Sequence, residues 1–259
     1  CLVGSEMCIR DSEYRAAGLN HLSILLEARY KNTGKDGYPI IKQNFDAYFS
    51  DLVNKHDAKP SKPGAERGVF RKLFKTYGYL PITTDSHLGE YIQWAYSVAD
   101  HDAILDFYDN YKEKCLAFYD NKTSYDHYFD LKNLDTHERV VPIIEGILSD
   151  SAYEEPAINI PNNGYIECLP KDIVVEVPGI INKSGISGIS FKNYPAAFGS
   201  LLNSQSGVIQ MTTDAVLNAS KHSAYLALLA DPVVNDSYQA EKLLNNMLET
   251  QGKFLYYLK

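Results

Sequence analysis

The sequence lacks a long hydrophobic run, an excess of positive charge and a cysteine framework. Of its 259 residues 45% are hydrophobic, yet no window reaches the roughly 18 to 20 apolar residues of a membrane-spanning helix. The net charge of −8 argues against a surface for nucleic acid or anionic lipid. The four cysteines show no paired spacing beyond one C-x6-C, which indicates reduced thiols rather than disulfides. We therefore expect a cytoplasmic protein that binds neither nucleic acid nor membrane. The cysteines are Cys1, Cys8, Cys115 and Cys168.

The first residues, "CLVGSEMCIRDS", also lack the features of a signal peptide, which has a basic region and a longer apolar stretch. We expect residues 1–12 to be a non-native leader and residues 13–259 to be the domain itself. The alternative is a natural but disordered terminus. Under either interpretation Cys1 and Cys8 are not expected to form part of a site.

No G-x-G-x-x-G run follows a predicted strand, so the chain has no dinucleotide-binding fingerprint of its own. Helical periodicity dominates, while "PAINIPNNGYIECLPKDIVVEVPGII" is rich in β-branched residues and predicts two or three short strands. The expected fold class is α+β, mostly helical with a small mixed sheet. One helix is predicted over the apolar segment that begins with His21 and Leu22, and others are predicted to cover about 43–54, 66–77, 137–149, 194–205, 212–229 and 239–251.

One histidine lies where the first apolar pattern begins. Asn20 is a reasonable N-cap for a helix that starts at His21. The positive end of the helix dipole would keep the imidazole neutral, the form that binds metals. Two interpretations remain open for His21: a metal ligand, or a partly buried histidine with no ligand role.

Two polar loops are candidates for chemistry. "TTDSHLGEY" places several polar side chains before and within a helix start, where backbone N–H groups converge. The alternative is that Asp85 or Ser86 only caps this helix. "NIPNNGYIECLP" contains Asn162 and Asn163 before Gly164, a pattern that ordinary turn chemistry also explains.

These segments together resemble glycoside hydrolase family 4. The resemblance rests on "AGLNH", "DSHLGEY", "ERVVPIIEGI", "NNGYIECLPKDIVVEVP", "DAVLNAS" and "ADPVV", which occur in order between Tyr14 and Leu248. "TTDSHLGEYIQWA" is most similar to the α-galacturonidase-like branch. The resemblance implies the fold of the C-terminal domain shared by these glycosidases and the lactate and malate dehydrogenases.

The resemblance also implies an activity that depends on NAD and Mn²⁺, or another divalent metal. In this family the sugar is oxidised at C3, a tyrosine removes the C2 proton, and the aglycone leaves by elimination. This differs from hydrolysis by paired carboxylates. By resemblance His21 is the metal ligand and Tyr91 the catalytic base. The expected substrate-binding residues are Asn20, His87, Glu90, Arg139, Asn162 and Asn163.

The sequence departs from the family in two respects. The family's second metal ligand, a cysteine upstream of the histidine, has no counterpart in a suitable context. The NAD-binding Rossmann domain is missing, so the cofactor-binding residues are unknown and the fragment alone is expected to be inactive. Its expected partners are a small uronide or phosphorylated glycoside and further copies in a homodimer or homotetramer. Alternatives are a non-catalytic carbohydrate-binding or interaction domain and a 2-hydroxy-acid dehydrogenase relative.

Overall fold

A computed structural model of the chain describes residues 12–55, 68–99, 101–120 and 139–259. The strands are β1 Ser12–Leu19, β2 Leu22–Tyr30, β3 Tyr153–Pro161, β4 Val174–Asn182 and β5 Gly185–Gly188. The helices are α1 Tyr38–Lys55, α2 Gly68–Tyr77, α3 Asp85–Tyr91, α4 His101–Asp120, α5 Val140–Ser149, α6 Ala196–Leu217, α7 Lys221–Ala230, α8 Ser237–Thr250 and α9 Gly252–Leu255. A 3₁₀ helix at Gln93–Ser97 follows α3. The α+β class and the mainly helical content are confirmed.

The five strands form one sheet in the order β2-β1-β4-β3, with β5 also paired to β4. The strand pairs in the described ranges are antiparallel, so the expectation of a mixed sheet is wrong. The β1–β2 and β4–β5 pairs are joined by short turns, which only antiparallel neighbours permit, because parallel neighbours need a long crossover. One isolated parallel bridge, between Ile166 and Phe191, lies outside the strands.

The predicted first helix is wrong, because its residues form strand β2. Leu19 pairs with Leu22, so Asn20 and His21 are the two-residue turn of a β-hairpin. Four consecutive residues from Leu22 to Leu25 are buried. A strand covered on both faces loses the apolar–polar alternation of a half-buried strand, and its sequence then resembles a buried helix.

The helix boundary predicted at Thr212 is also wrong. Helix α6 continues through this point, and the hydroxyls of Thr212 and Thr213 donate to the carbonyls four residues earlier at 2.8 and 2.9 Å. Such bonds satisfy the threonine hydroxyl inside a continuous helix, so the residue need not be the N-cap of a new one. The break comes later, where Ala219 has a φ of 50°. Ser220 then caps α7 by accepting from the Ser223 N–H at 3.1 Å.

The core joins the sheet to helices α2 and α6. Its most deeply buried side chains include Ile24, Phe70, Ile181 and Phe198. Tyr194 precedes α6 and is buried beside this core. Its hydroxyl donates to the Ala17 carbonyl of β1 at 2.9 Å. Among the described residues, no helix has the length and apolar character needed to cross a membrane.

One further pairing positions the loop before α3. The Leu25 N–H donates to the Leu80 carbonyl at 2.7 Å, and the Ile82 N–H donates to the Ser23 carbonyl at 3.0 Å. These two bonds extend the sheet for a short distance beyond β2. Helix α3 therefore begins directly beside the turn that carries His21.

Candidate functional site

The structure brings together two histidines that are 66 positions apart in the sequence. His21 lies in the turn between β1 and β2, and His87 lies in the first half of α3. Their ring centroids are 4.1 Å apart, with the planes inclined at 44°. His21 has a φ of 60°, a left-handed conformation that histidine, asparagine and aspartate adopt more readily than most residues. This backbone conformation, not a helix dipole, orients the imidazole.

A carboxylate on strand β4 stabilises the turn between β1 and β2. Glu176 of β4 accepts from the Ser23 hydroxyl at 2.8 Å and from the Asn20 side-chain amide at 3.3 Å. At the same register position, Gly18 pairs with Glu176. A Cβ on Gly18 would lie 2.3 Å from the Leu22 carbonyl oxygen, so only glycine permits this close approach. Asn20 is thus at the site, with its amide directed by β4.

Asp85 accepts hydrogen bonds from the start of another helix, α2, rather than capping its own. Its side chain is 7% exposed, and its two oxygens accept from the backbone N–H groups of Val69 and Phe70, each at 3.0 Å. Asp85 therefore caps the N-terminus of α2, where free N–H groups and the helix dipole both favour a carboxylate. This contact locks α3, and with it His87, against α2.

The polar surroundings of His87 are incomplete. Its Nδ1 is buried and, among the described residues, has no hydrogen-bond partner. The nearest carboxylate oxygen, Oε2 of Glu90, is 3.6 Å away, beyond hydrogen-bond distance. An unsatisfied buried nitrogen costs free energy unless a ligand, ion or water completes it. The pair His87 and Glu90 is therefore suited to a polar ligand.

Tyr91 ends α3 and borders a cavity of about 410 Å³ that Asn20 also lines. Burial, followed by the nearby negative charge of Glu90, raises the pKa of the Tyr91 phenol above its usual value of 10. The hydroxyl is consequently neutral near pH 7. Proton abstraction by Tyr91 would require a cation close enough to lower this pKa again.

The remaining predicted substrate contacts are not brought to this point. Arg139 forms a forked pair with the buried Glu155, with N···O distances of 3.0 to 3.3 Å. Asn162 is fully buried. Its amide donates to the carbonyls of Ile166, Leu169 and Pro170, and its oxygen accepts from the Ile166 N–H. In this structure Asn162 holds its loop, and a substrate contact by Asn162 stays a prediction.

The neighbouring Asn163 is exposed and has a φ of 44°. Its N–H donates to the Lys171 carbonyl at 3.1 Å. These are the properties of a turn residue that tolerates left-handed geometry. A substrate role for Asn163 stays a prediction, as it does for Arg139.

The described residues supply an incomplete set of metal ligands. Within these ranges no group of three or more His, Cys, Asp and Glu side chains is arranged to hold a metal. A catalytic metal usually takes about three protein ligands and keeps one position open for substrate or water. The paired imidazoles of His21 and His87, with the unpartnered Nδ1 of His87, fit a part of such a set. A cation here would need further ligands from elsewhere.

Sequence reasoning missed Ser23, Glu176, Asp172 and Gln205 of this region. Glu176 carried a signal, because "VVEVP" places one carboxylate within an apolar strand, where an unpaired charge is costly. Ser23 and Gln205 carried none, since their roles depend on which elements pack against them. Asp172 and Gln205 line the cavity beside Tyr91.

Comparisons with known proteins concern the family and the fold of the chain. A sequence model described as "Family 4 glycosyl hydrolase C-terminal domain" matches residues 16–234. An α-glucosidase of Erwinia rhapontici is 38% identical across 95% of this chain and 57% of its own length. An α-galacturonidase of Thermoanaerobacterium saccharolyticum is 28% identical across 92% of this chain and 53% of its own length. The chain thus spans about half the length of the curated relatives it matches.

The fold is also shared with a solved structure. A 6-phospho-α-glucosidase from gut microorganisms, crystallised with NAD and Mn²⁺, superposes with a TM-score of 0.68 at 20% identity. The superposition covers 95% of this chain and 56% of the other. At this identity the likeness establishes the fold. The C-terminal domain expected from the sequence is confirmed.

The left-handed backbone at His21 leads to a prediction about stability. His21→Ala and His21→Asn both remove the ring contact with His87, but asparagine tolerates a positive φ better than alanine. We expect the free energy of unfolding to be about 0.5 to 1 kcal/mol higher for His21→Asn than for His21→Ala. Urea unfolding of the two variants measures this difference. Equal stabilities would contradict the strained turn.

Proposed function

The chain belongs to the family 4 glycosyl hydrolases, as their C-terminal domain, and on this premise we propose that it is the sugar-handling part of a glycosidase that uses NAD and a divalent metal. The proposed reaction cleaves an O-glycosidic bond by oxidation at C3, loss of the C2 proton and elimination. One observation supports it above the others: the turn carrying His21 adjoins His87, and Asn20 of that turn lines the same cavity as Tyr91.

Two groups outside the polypeptide are part of this proposal. NAD accepts and returns a hydride, and a divalent cation such as Mn²⁺ acts as a Lewis acid on a substrate oxygen. We assign His21 as a metal ligand, because neutral imidazole is a common protein ligand for metal ions. We place the NAD site outside the described residues, and the remaining metal ligands with the rest of the enzyme or the substrate.

Tyr91 is the proposed base for the C2 proton. Partial burial raises its pKa, and a cation beside His21 would lower this pKa toward the working pH. The negative charge of Glu90 opposes this lowering of the Tyr91 pKa. The Glu90 carboxylate also provides an acceptor for a substrate hydroxyl. Asn20 and His87 are proposed to bind substrate oxygens, and Glu176 to hold Asn20 in place.

The substrate and assembly remain proposals. The relatives are described as an α-glucosidase and an α-galacturonidase, and the superposed protein as a 6-phospho-α-glucosidase, so we propose a small glycoside as substrate. Association into a homodimer or homotetramer is proposed from the family resemblance. The basic test is assay of the enzyme that carries this domain against glycosides of these three kinds, with NAD and Mn²⁺ each added and omitted. Cleavage that persists without either one would overturn the proposal.

The metal role of His21 is tested with His21→Asn, which spares the turn. We expect the Mn²⁺-dependent activity to fall by about 10³-fold or more, because a catalytic metal site loses a protein ligand. His222→Asn, on the exposed side of α7, is the matched control and should retain full activity. Activity of His21→Asn near the wild-type level would remove His21 from the metal site.

The base role of Tyr91 is tested with Tyr91→Phe. We expect exchange of the substrate C2 proton with solvent to slow by about 10² to 10⁴-fold, while Mn²⁺ binding is retained. Unchanged exchange would assign the base to another group.

The pH dependence gives a second measure of Tyr91. A base is active when deprotonated, so the rate should rise with pH through the Tyr91 pKa. Glu90→Gln removes a negative charge that raises this pKa, and the rising limb of the kcat/KM profile should therefore move to lower pH. A shift to higher pH would contradict the assignment.

A further inference from the structure

A second cavity lies toward the other end of strand β2 from His21. It has a volume of about 460 Å³ and is formed by the second half of β2, the start of helix α1 and the residues from Tyr77 to Tyr79. A strand rises about 3.3 Å per residue, so Ala28 in the cavity wall lies roughly 20 Å along β2 from His21. The cavity is therefore separate from the hairpin turn and from the space beside Tyr91. Its charged lining residues are Glu27, Arg29, Asp36 and Lys42.

These four charges divide into a paired and an unpaired set. Glu27 lies between two arginines, with its Oε2 3.8 Å from Arg29 Nε and 3.4 Å from Arg15 Nη1. Neither Lys42 nor Asp36 forms an ion pair with another residue in the described part of the chain. The cavity thus presents one ammonium and one carboxylate, and the protein offsets neither charge with an ion pair.

Both of these groups are anchored to the same buried tyrosine. Tyr38 is 9% exposed, and its hydroxyl donates to the Leu25 carbonyl of β2. Asp36 accepts from the Tyr38 N–H through Oδ1 at 2.9 Å. Lys42 lies one helical turn after Tyr38, and its Nζ is 5.8 Å from the centre of the Tyr38 ring, within the range of a cation–π contact. The start of α1 therefore presents the two charges from one rigid point.

The rest of the wall is apolar and aromatic. Tyr79 meets Tyr38 edge to face, with ring centroids 6.1 Å apart and planes at 74°. Tyr77 meets the buried Phe198 in the same way, at 5.9 Å and 88°. Leu26 of β2 adds an aliphatic side chain to this wall. Such a surface attracts an apolar or aromatic group, because burial between rings removes its apolar area from water.

We propose that this cavity binds a free α-amino acid with an apolar or aromatic side chain. The ligand carboxylate pairs with Lys42, the ligand ammonium pairs with Asp36, and the side chain packs against Tyr77 and Tyr79. A ligand with one charge of each sign offsets both unpaired groups, whereas a simple anion or cation leaves one of them opposed. This inference does not depend on the proposed function, and it gives the domain a second small-molecule ligand.

A ligand in this cavity contacts two segments that lead to the candidate site. One is β2, which begins at the turn with His21, and the other runs from Tyr77 toward helix α3. The two segments are hydrogen-bonded to each other by the N–H groups of Leu25 and Ile82. An amino acid bound between them therefore stabilises this pairing, which provides a readout of where it binds.

The first experiment tests whether both ligand charges are needed. The enzyme that carries this domain is titrated in a calorimeter with L-phenylalanine, N-acetyl-L-phenylalanine and L-phenylalaninamide. The second compound lacks the ammonium group, and the third lacks the carboxylate. We expect L-phenylalanine to bind at least about 10-fold more tightly than either analogue, because each loses a charge-assisted contact. Equal affinities, or no binding of L-phenylalanine, would overturn the proposal.

The second experiment assigns each charge to its residue. Lys42→Met should weaken L-phenylalanine binding by about 10-fold and abolish the discrimination against the amide. Asp36→Asn retains an acceptor for the Tyr38 N–H and should abolish the discrimination against the N-acetyl compound. Lys72→Met, at an exposed position of α2 that does not line the cavity, is the control and should change no affinity. Wild-type affinities in the first two variants would contradict the assignment.

The third measurement locates the ligand by amide hydrogen exchange. At ten times its Kd, L-phenylalanine should slow exchange of the Leu25 and Ile82 N–H groups by about 10-fold, because it binds only the closed pairing. The N–H of Ala240 in α8, which does not line the cavity, should exchange at an unchanged rate. Unchanged exchange at Leu25 and Ile82, or equal slowing at Ala240, would place the ligand elsewhere. Because this readout needs no glycosidase activity, its failure is distinguishable from failure of the proposed function.

Discussion

The candidate site depends on the pairing of Leu19 with Leu22, which leaves only Asn20 and His21 to reverse the chain between β1 and β2. A two-residue turn has few allowed conformations, so it fixes the direction of both side chains. Glu176 of β4 reinforces the turn through Asn20 and Ser23. The imidazole of His21 is thereby presented from a rigid β-hairpin rather than from a mobile loop, which suits a metal or substrate contact.

The segment that carries His87 and Tyr91 is joined to strand β2. Leu80 and Ile82 hydrogen-bond to β2, and Asp85 holds the start of α3 against α2. The bonds of Leu80 and Ile82 join backbone groups and are insensitive to most side-chain changes in β2, whereas the contact to α2 depends on the Asp85 carboxylate. They bring His87 and Tyr91 to the turn, so that "TTDSHLGEY" lies beside "GLNH" across a long stretch of intervening sequence.

Hydrogen-bond saturation distinguishes the structural polar residues from the candidate ligand-binding ones. Asn162 is buried with every bonding position of its amide oriented to the backbone, and Glu155 is buried against Arg139. His87 and Gln205 instead retain a buried atom with no partner among the described residues. Polar groups of the first kind stabilise the fold. Those of the second kind carry a free-energy cost that a bound ligand would remove.

The sequence predicted the strands around "IVVEVP" and the helix at α2, because each has a clear periodicity or turn signal. It failed at Leu22–Leu25, since a strand buried on both faces has no alternation to read. It failed again at Thr212, where a hydroxyl can bond back to its own helix as well as cap a new one. Gln205 and Asp172 could not be found at all, because their significance arises only where α6 meets the start of β4. Asn162 was noticed, but its pattern did not distinguish a ligand contact from a buried loop anchor.

The most direct test of a metal site at the hairpin turn is titration of the enzyme that carries this domain with Mn²⁺, observed through its histidine ring signals in NMR. Paramagnetic Mn²⁺ broadens the signals of nuclei close to it even when binding is weak. The site described here predicts that the His21 and His87 signals disappear together at low Mn²⁺, while that of His222 persists. Broadening of His222 before or together with these two would contradict a metal site at the turn.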